Sequence, residues 1–74
     1  MRFFFDYTMK DQSLYDYQGT EFQNSQSAID FAQEMAQVLK GSLSGEWNNW
    51  SIDVRDAVGK KHFSLPVGDA AIAV

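Results

Sequence analysis

The stretch RFFFDY, Arg2 to Tyr7, decides the fold. It is short and rich in aromatics, with Phe3, Phe5 and Tyr7 on one parity and Arg2, Phe4 and Asp6 on the other, so it reads as a strand with one apolar and one charged face. The charged face turns to water, which leaves Phe4 as an aromatic on the outside. Thr8 to Gln12 is polar and turn-like without a glycine, and Ser13 to Tyr17 (SLYDY) has strand composition, so the pair predicts a hairpin with a longer loop. Two registers are open: Leu14 inward with Tyr15 and Tyr17 outward, or the reverse. Asp16 to Gly19 fits a type I turn that ends the second strand.

Working outward, Asn24, Ser25 and Ser27 offer oxygens to the orphan amides of a helix start, and Ser27 with Asp30 has capping-box spacing. The helix is expected over about 26–40. At 100° per residue, Ala28, Ile29, Ala32, Met35, Ala36 and Leu39 form one stripe opposite Gln26, Asp30, Gln33, Gln37 and Lys40, with Phe31 and Val38 on its shoulder. Lys40 and Gly41 supply a last-turn charge and a left-handed cap. After a loop over 41–49, Trp50, Ile52 and Val54 alternate with polar residues, as do Phe63, Leu65 and Val67, giving a second hairpin. A two-residue loop at Val58 and Gly59 pairs Val54 with Phe63, Ile52 with Leu65 and Trp50 with Val67, and opposes Asp56 to Lys61. A bulge at Gly59 alone would set Ile52 against Ser64 and is disfavoured, while a four-residue turn from Asp56 to Gly59 stays open. Pro66 marks an edge strand or its end.

The chain therefore predicts an α+β fold: a single ββαββ domain over 1–67, an antiparallel four-stranded sheet with one amphipathic helix on one face. The tail 68–74 is small and apolar, either frayed or an extra strand. One helix cannot cover both sides of four strands, so Phe4, with Tyr15 and Tyr17 in one register, would form an exposed aromatic zone on the open face.

Composition fits one small domain. Of 74 residues, 45% are hydrophobic and 22% charged, enough apolar content to fold and too short a chain for two cores. Six basic residues against ten acidic give a net charge of −4, and Arg2, Lys10, Lys40, Arg55, Lys60 and Lys61 are scattered, which disfavours a phosphate backbone as partner. Cysteine is absent, removing disulfides, thiol chemistry and thiolate zinc sites. Phe3 to Phe5 is too short for a signal-peptide core, and nothing approaches the ~20 apolar residues of a membrane span; a cytoplasmic location is expected.

The RFFFD opening, the hairpin ending in Asp16-x-x-Gly19, the alanine-bearing helix and the closing V-R-D-x-x-G run (Val54, Arg55, Asp56, Gly59) resemble a family of short proteobacterial proteins of unknown function. The similarity spans nearly the whole chain. It departs from the family pattern at Val58, where an acidic residue is expected, and in a helix with more glutamine and less arginine. The resemblance implies a bacterial source and supports the ββαββ layout, but brings no active site with it.

The chemistry-bearing residues have simpler readings beside the reactive ones. His62 is the single histidine, and a solvated strand residue opposite Arg55 or Asp53 explains it more simply than a triad base. Asp6, Asp16, Asp53 and Asp56 could converge on a divalent cation, yet turn and surface roles account for each, and no ligand spacing of a known kind is present. No catalytic residue, cofactor or metal is expected, and no small-molecule ligand is implied. The candidate interaction surface is Phe4, Tyr15, Tyr17, Phe31 and Val38, which suggests a small non-catalytic protein-interaction or self-associating domain, a homodimer being its simplest form. The alternative is single-strand nucleic-acid binding by aromatics on the open sheet face, against which the charge argues. An enzyme comes third.

Overall fold

The computed structural model describes residues 1–41 and 45–70. Its elements are β1 (Arg2–Met9), β2 (Gln12–Leu14), β3 (Thr20–Glu21), α1 (Ser25–Lys40), β4 (Ser51–Asp56) and β5 (Lys61–Pro66), followed by a 3₁₀ turn at Val67–Asp69. The sheet is antiparallel, in the order β2-β1-β4-β5, with β3 also bonded to β1. This is the α+β, ββαββ-like arrangement read from the sequence, with one helix on one face.

The apolar parity works as expected in β1 and β4, whereas the charged face does not simply turn to water: Asp6 and Asp53 on it are buried, each held by its own donors. Phe3, Phe5, Ile52 and Val54 are buried together with Ala28, Ala32 and Ala36 of α1 and Val67 of the 3₁₀ turn, each large side chain gaining about 1.5–3 kcal/mol from leaving water. Asn24 caps the helix, its Oδ1 accepting the Ser27 amide at 2.9 Å. Asp30 makes no capping box; it takes a bond from Gln26 Nε2 instead. Gly41 is right-handed at φ −77°, contrary to the left-handed cap expected, because its amide closes a last helical turn on the Gln37 carbonyl. Lys40 reaches from that turn to the Ala70 carbonyl at 2.8 Å, tying the helix to the chain after β5. Ala70 is buried, so the tail is packed as far as that residue. Residues 71–74 of the expected tail, like 42–44 of the expected loop, lie outside the described residues.

Both hairpins depart from the expected detail. β1 extends to Met9, and the tight Lys10–Asp11 connection replaces the longer loop. In the second hairpin, Gly59 adopts φ +92° and its amide bonds the Asp56 carbonyl, so the four-residue turn from Asp56 to Gly59 forms in place of the two-residue loop, while the Asp56 amide bonds the Lys60 carbonyl. Arg55 thus lies opposite Lys61, and the expected Asp56–Lys61 pair does not form. Continued unbroken, that register would set Ile52 against Ser64, the mismatch foreseen for a bulge at Gly59. A second irregularity repairs it: the ladder shifts between Arg55 and Val54, leaving His62 as the extra residue of a bulge. Val54 then meets Phe63 and Ile52 meets Leu65.

Candidate functional site

Between Leu14 and Thr20 the edge strand leaves the sheet. Residues 15–19 oppose only residues 4–6 of β1, and the Asp16 carboxylate substitutes for the missing ladder. Its Oδ2 accepts the Phe5 amide at 3.2 Å, and its Oδ1 accepts the amides of Gln18 and Gly19 at 3.1 and 3.0 Å. The Asp16 amide in turn donates to Asp6 Oδ1 at 2.9 Å. Burial works against the Asp16 charge, but the Gly19, Phe5 and Gln18 amides together with Arg55 outweigh it and hold its pKa below the usual carboxylate value.

This excursion overturns the exposed aromatic zone expected on the open face. Phe4 is half-buried: the Arg55 guanidinium lies 4.5 Å from its ring centroid, and Gly19 presses so closely that an added Cβ would stand 2.9 Å from the ring. Tyr17 is 85% exposed but sits in the excursion, its ring 6.5 Å from Tyr15 and tilted. The outward face is instead polar and internally paired. Arg55 bonds Asp6 at 2.6 Å and the Asp16 carbonyl at 2.9 Å, while Asp53 is held by Ser64, Thr8 and Lys61.

The four aspartates considered as cation ligands are therefore occupied separately. Asp6 and Asp16 serve the excursion, Asp53 the β4–β5 face, and Asp56 the turn. Among the described residues no cluster of three or more His, Asp or Glu is arranged to hold a metal. His62 lies neither against Arg55 nor Asp53. Its Nε2 is 2.9 Å from Asp56 Oδ2 and its ring packs edge-on to Phe3. That His62 bond, followed by the Lys60 amide, holds the Asp56 pKa down against burial, with a lesser contribution from the Val58 amide.

The concave feature lies on the other face. α1 packs mainly over β4, β5 and the 3₁₀ turn and only lightly on β1, so the β1–β2 side of the core face stays partly uncovered. A groove of about 490 Å³ opens there, lined by Phe5, Tyr7, Leu14, Tyr15, Asp16, Thr20, Phe31, Met35 and Trp47. Leu14, opposite Tyr7 in the ladder, shares its inward face as in the first register, but Tyr15 does not turn outward: β2 ends at Leu14, and Tyr15 lines the same groove. Leu14 nonetheless stays 51% exposed, because the helix does not reach it. Phe31 packs against Phe5 at 5.2 Å and Phe22 at 5.7 Å, forming one wall, and Trp47 packs tilted against Tyr7 at 5.8 Å to form another. Burial, then the Asp16 charge, pushes the Tyr7 hydroxyl above its ordinary pKa, so it stays a hydrogen-bond donor. Of the five surface residues singled out from sequence, Tyr15 and Phe31 meet in this groove. Phe4 lies on the outward face of β1 beneath Arg55, Tyr17 belongs to the excursion, and Val38, 72% exposed two turns beyond Phe31, is outside the groove. Sequence reasoning missed Trp47, Met35 and Tyr7 as groove residues; the signal was a helix too narrow for the sheet.

A single amphipathic helix on an antiparallel sheet, its edge strand broken by an aspartate-held excursion, defines a small α+β domain with one uncovered flank. The chain matches, over residues 2–68, the family described as domain of unknown function DUF6894, and belongs to it. No curated protein and no solved structure matches the chain. No helix among the described residues is long and apolar enough to cross a membrane.

Proposed function

We propose that this domain is a small non-catalytic protein-interaction module whose groove beside α1 receives a segment of another protein chain. The observation that carries this reading is the apolar, aromatic-walled groove on the core side of the sheet, of the size and lining that bind side chains. Its polar groups are not poised for catalysis. Asp16 is committed to three backbone amides, and Tyr7 holds its proton. We take its site of action to be the cytoplasm of a bacterium, in line with the resemblance of its RFFFD opening and V-R-D-x-x-G run to short proteobacterial proteins. Single-strand nucleic-acid binding is less well supported, since Phe4 lies beneath Arg55 and the aromatics share no platform on the outward face.

The test is selection from a random peptide library against the intact domain, followed by chemical-shift mapping of enriched peptides. Peptides with apolar anchors that perturb Tyr7, Tyr15, Phe31 and Trp47, and lose binding in Phe31→Asp, support the module. Enriched peptides that map to another surface, or no enrichment at all, would reject it.

A further inference from the structure

The β4–β5 turn is a knob. Val58 is 89% exposed, the most exposed large hydrophobic side chain among the described residues, and a Cβ added at neighbouring Gly59 would meet nothing within 4 Å. The tip thus stands clear of the domain. It is also rigid, because Asp56 Oδ1 accepts the amides of both Val58 and Lys60 at 3.0 and 2.9 Å. An apolar side chain on a rigid projection contributes nothing to the fold and is pre-organised for contact elsewhere. Lys60 and Lys61, the one adjacent pair of cations in the sequence, follow it directly.

The groove is complementary in charge. Rings of Phe5, Tyr7, Tyr15, Phe31 and Trp47 line it beside the Asp16 carboxylate, with no lysine or arginine in the lining. Aromatic faces carry the negative end of the ring quadrupole, so such a lining favours an apolar group followed by a cation. The tip cannot reach its own groove: Asp56 lies opposite Phe3, whereas the groove is centred on Phe5 and Tyr7, on the β2 side of β1.

Resting on the reading of the groove as an interaction site, we infer that its occupant is the β4–β5 tip, Ala57 to Lys61, of a second copy of this chain. Val58 packs among Tyr15, Phe31 and Trp47, and the Lys60 ammonium lies against the ring faces beside Asp16. Tip and groove are different patches, so the contact is heterologous and runs head to tail from copy to copy.

Sedimentation of the full chain up to about 1 mM tests this, with Val58→Glu and Tyr15→Glu as variants at exposed positions whose folds are checked by dilute NMR spectra. The wild type should associate with rising concentration, and each variant should weaken association at least ~10-fold. An equimolar mixture of the two variants retains one intact tip and one intact groove, so it should form a complex that stops at two chains. A wild type that stays monomeric throughout overturns the inference. So does Val58→Glu associating like wild type: if Tyr15→Glu still abolishes association, the groove survives as an interaction site with another occupant, and if neither variant matters the groove is not the contact. A mixture of variants that fails to reassociate overturns the head-to-tail arrangement.

Discussion

Asp6 and Asp53 stand directly opposite one another in the β1–β4 ladder, two nearly buried carboxylates on an outward face. Like charges so placed repel, and the pairing persists because each has its own donors, Arg55 for Asp6 and Ser64, Thr8 and Lys61 for Asp53. Arg55 does most, since it also bonds the Asp16 carbonyl and covers Phe4. Arg55→Ala should cost about 3 kcal/mol or more, the expense of leaving a buried carboxylate unpaired. Arg55→Lys should cost about 1–2 kcal/mol, because an ammonium cannot bond Asp6 and the Asp16 carbonyl at once while covering the Phe4 ring. Urea denaturation measures both, and equal, negligible effects would show the pair to be ornamental.

Acid should loosen both the excursion and the β4–β5 turn. Asp16 and Asp56 both have folded pKa values below their unfolded ones. The stability they supply is therefore fully present above the unfolded value of about 3.9 and is lost as pH falls through the lower folded values. Asp16→Asn should flatten the acid limb of a thermal-melting series and destabilise the neutral protein by about 1–2 kcal/mol, since the charge-assisted bonds to Phe5, Gln18 and Gly19 weaken. An unchanged acid limb would contradict the role given to this carboxylate.

Two glycines separate steric crowding from backbone strain. Gly19 and Gly59 both have positive φ, +73° and +92°. A methyl at Gly19 would meet Arg2 Cγ and Phe4 Cε1 at 2.9 Å and the Phe3 carbonyl at 3.0 Å, whereas one at Gly59 meets open space. Gly59→Ala should cost about 1–2 kcal/mol from the left-handed backbone alone. Gly19→Ala should cost roughly 1 kcal/mol more than that, with shifts at Phe4 in the NMR spectrum. Equal costs would place the excursion farther from Phe4 than its geometry requires.

Short single-stranded oligonucleotides at low salt should leave the Trp47 and Trp50 emission unchanged. The outward face spends its cations on its own carboxylates, and stacking needs bare rings within a basic surround. Saturable quenching would restore the nucleic-acid reading.

Much of this arrangement is legible in the residues. The alternation of Phe3 and Phe5 and of Ile52 and Val54, and the Ala28, Ala32, Ala36 spacing, each report a buried face, since periodicity records which side of an element leaves water. Asp16 is legible as a turn residue but not as a substitute for a strand, because its bond to the Phe5 amide joins positions 11 apart. The His62 bulge escapes for a different reason: local turn chemistry at Gly59 and the apolar parity of Ile52 conflict, and a second irregularity resolves the conflict downstream. Phe31 and Tyr15 are identifiable as surface aromatics, while their convergence with Tyr7 and Trp47 depends on where the helix sits across the sheet.

The Asp16 excursion also governs how this sheet behaves toward unfolded neighbours. A long, straight border with vacant peptide groups is a template on which other chains can stack into fibrils. Here one border is cut into two short pieces with a carboxylate already seated on the Phe5 amide, and the other ends in a proline after a kinked ladder. Removing the aspartate would therefore do more than weaken the fold: it would free the Phe5 amide at a sheet margin and turn a guarded boundary into a seed for aggregation.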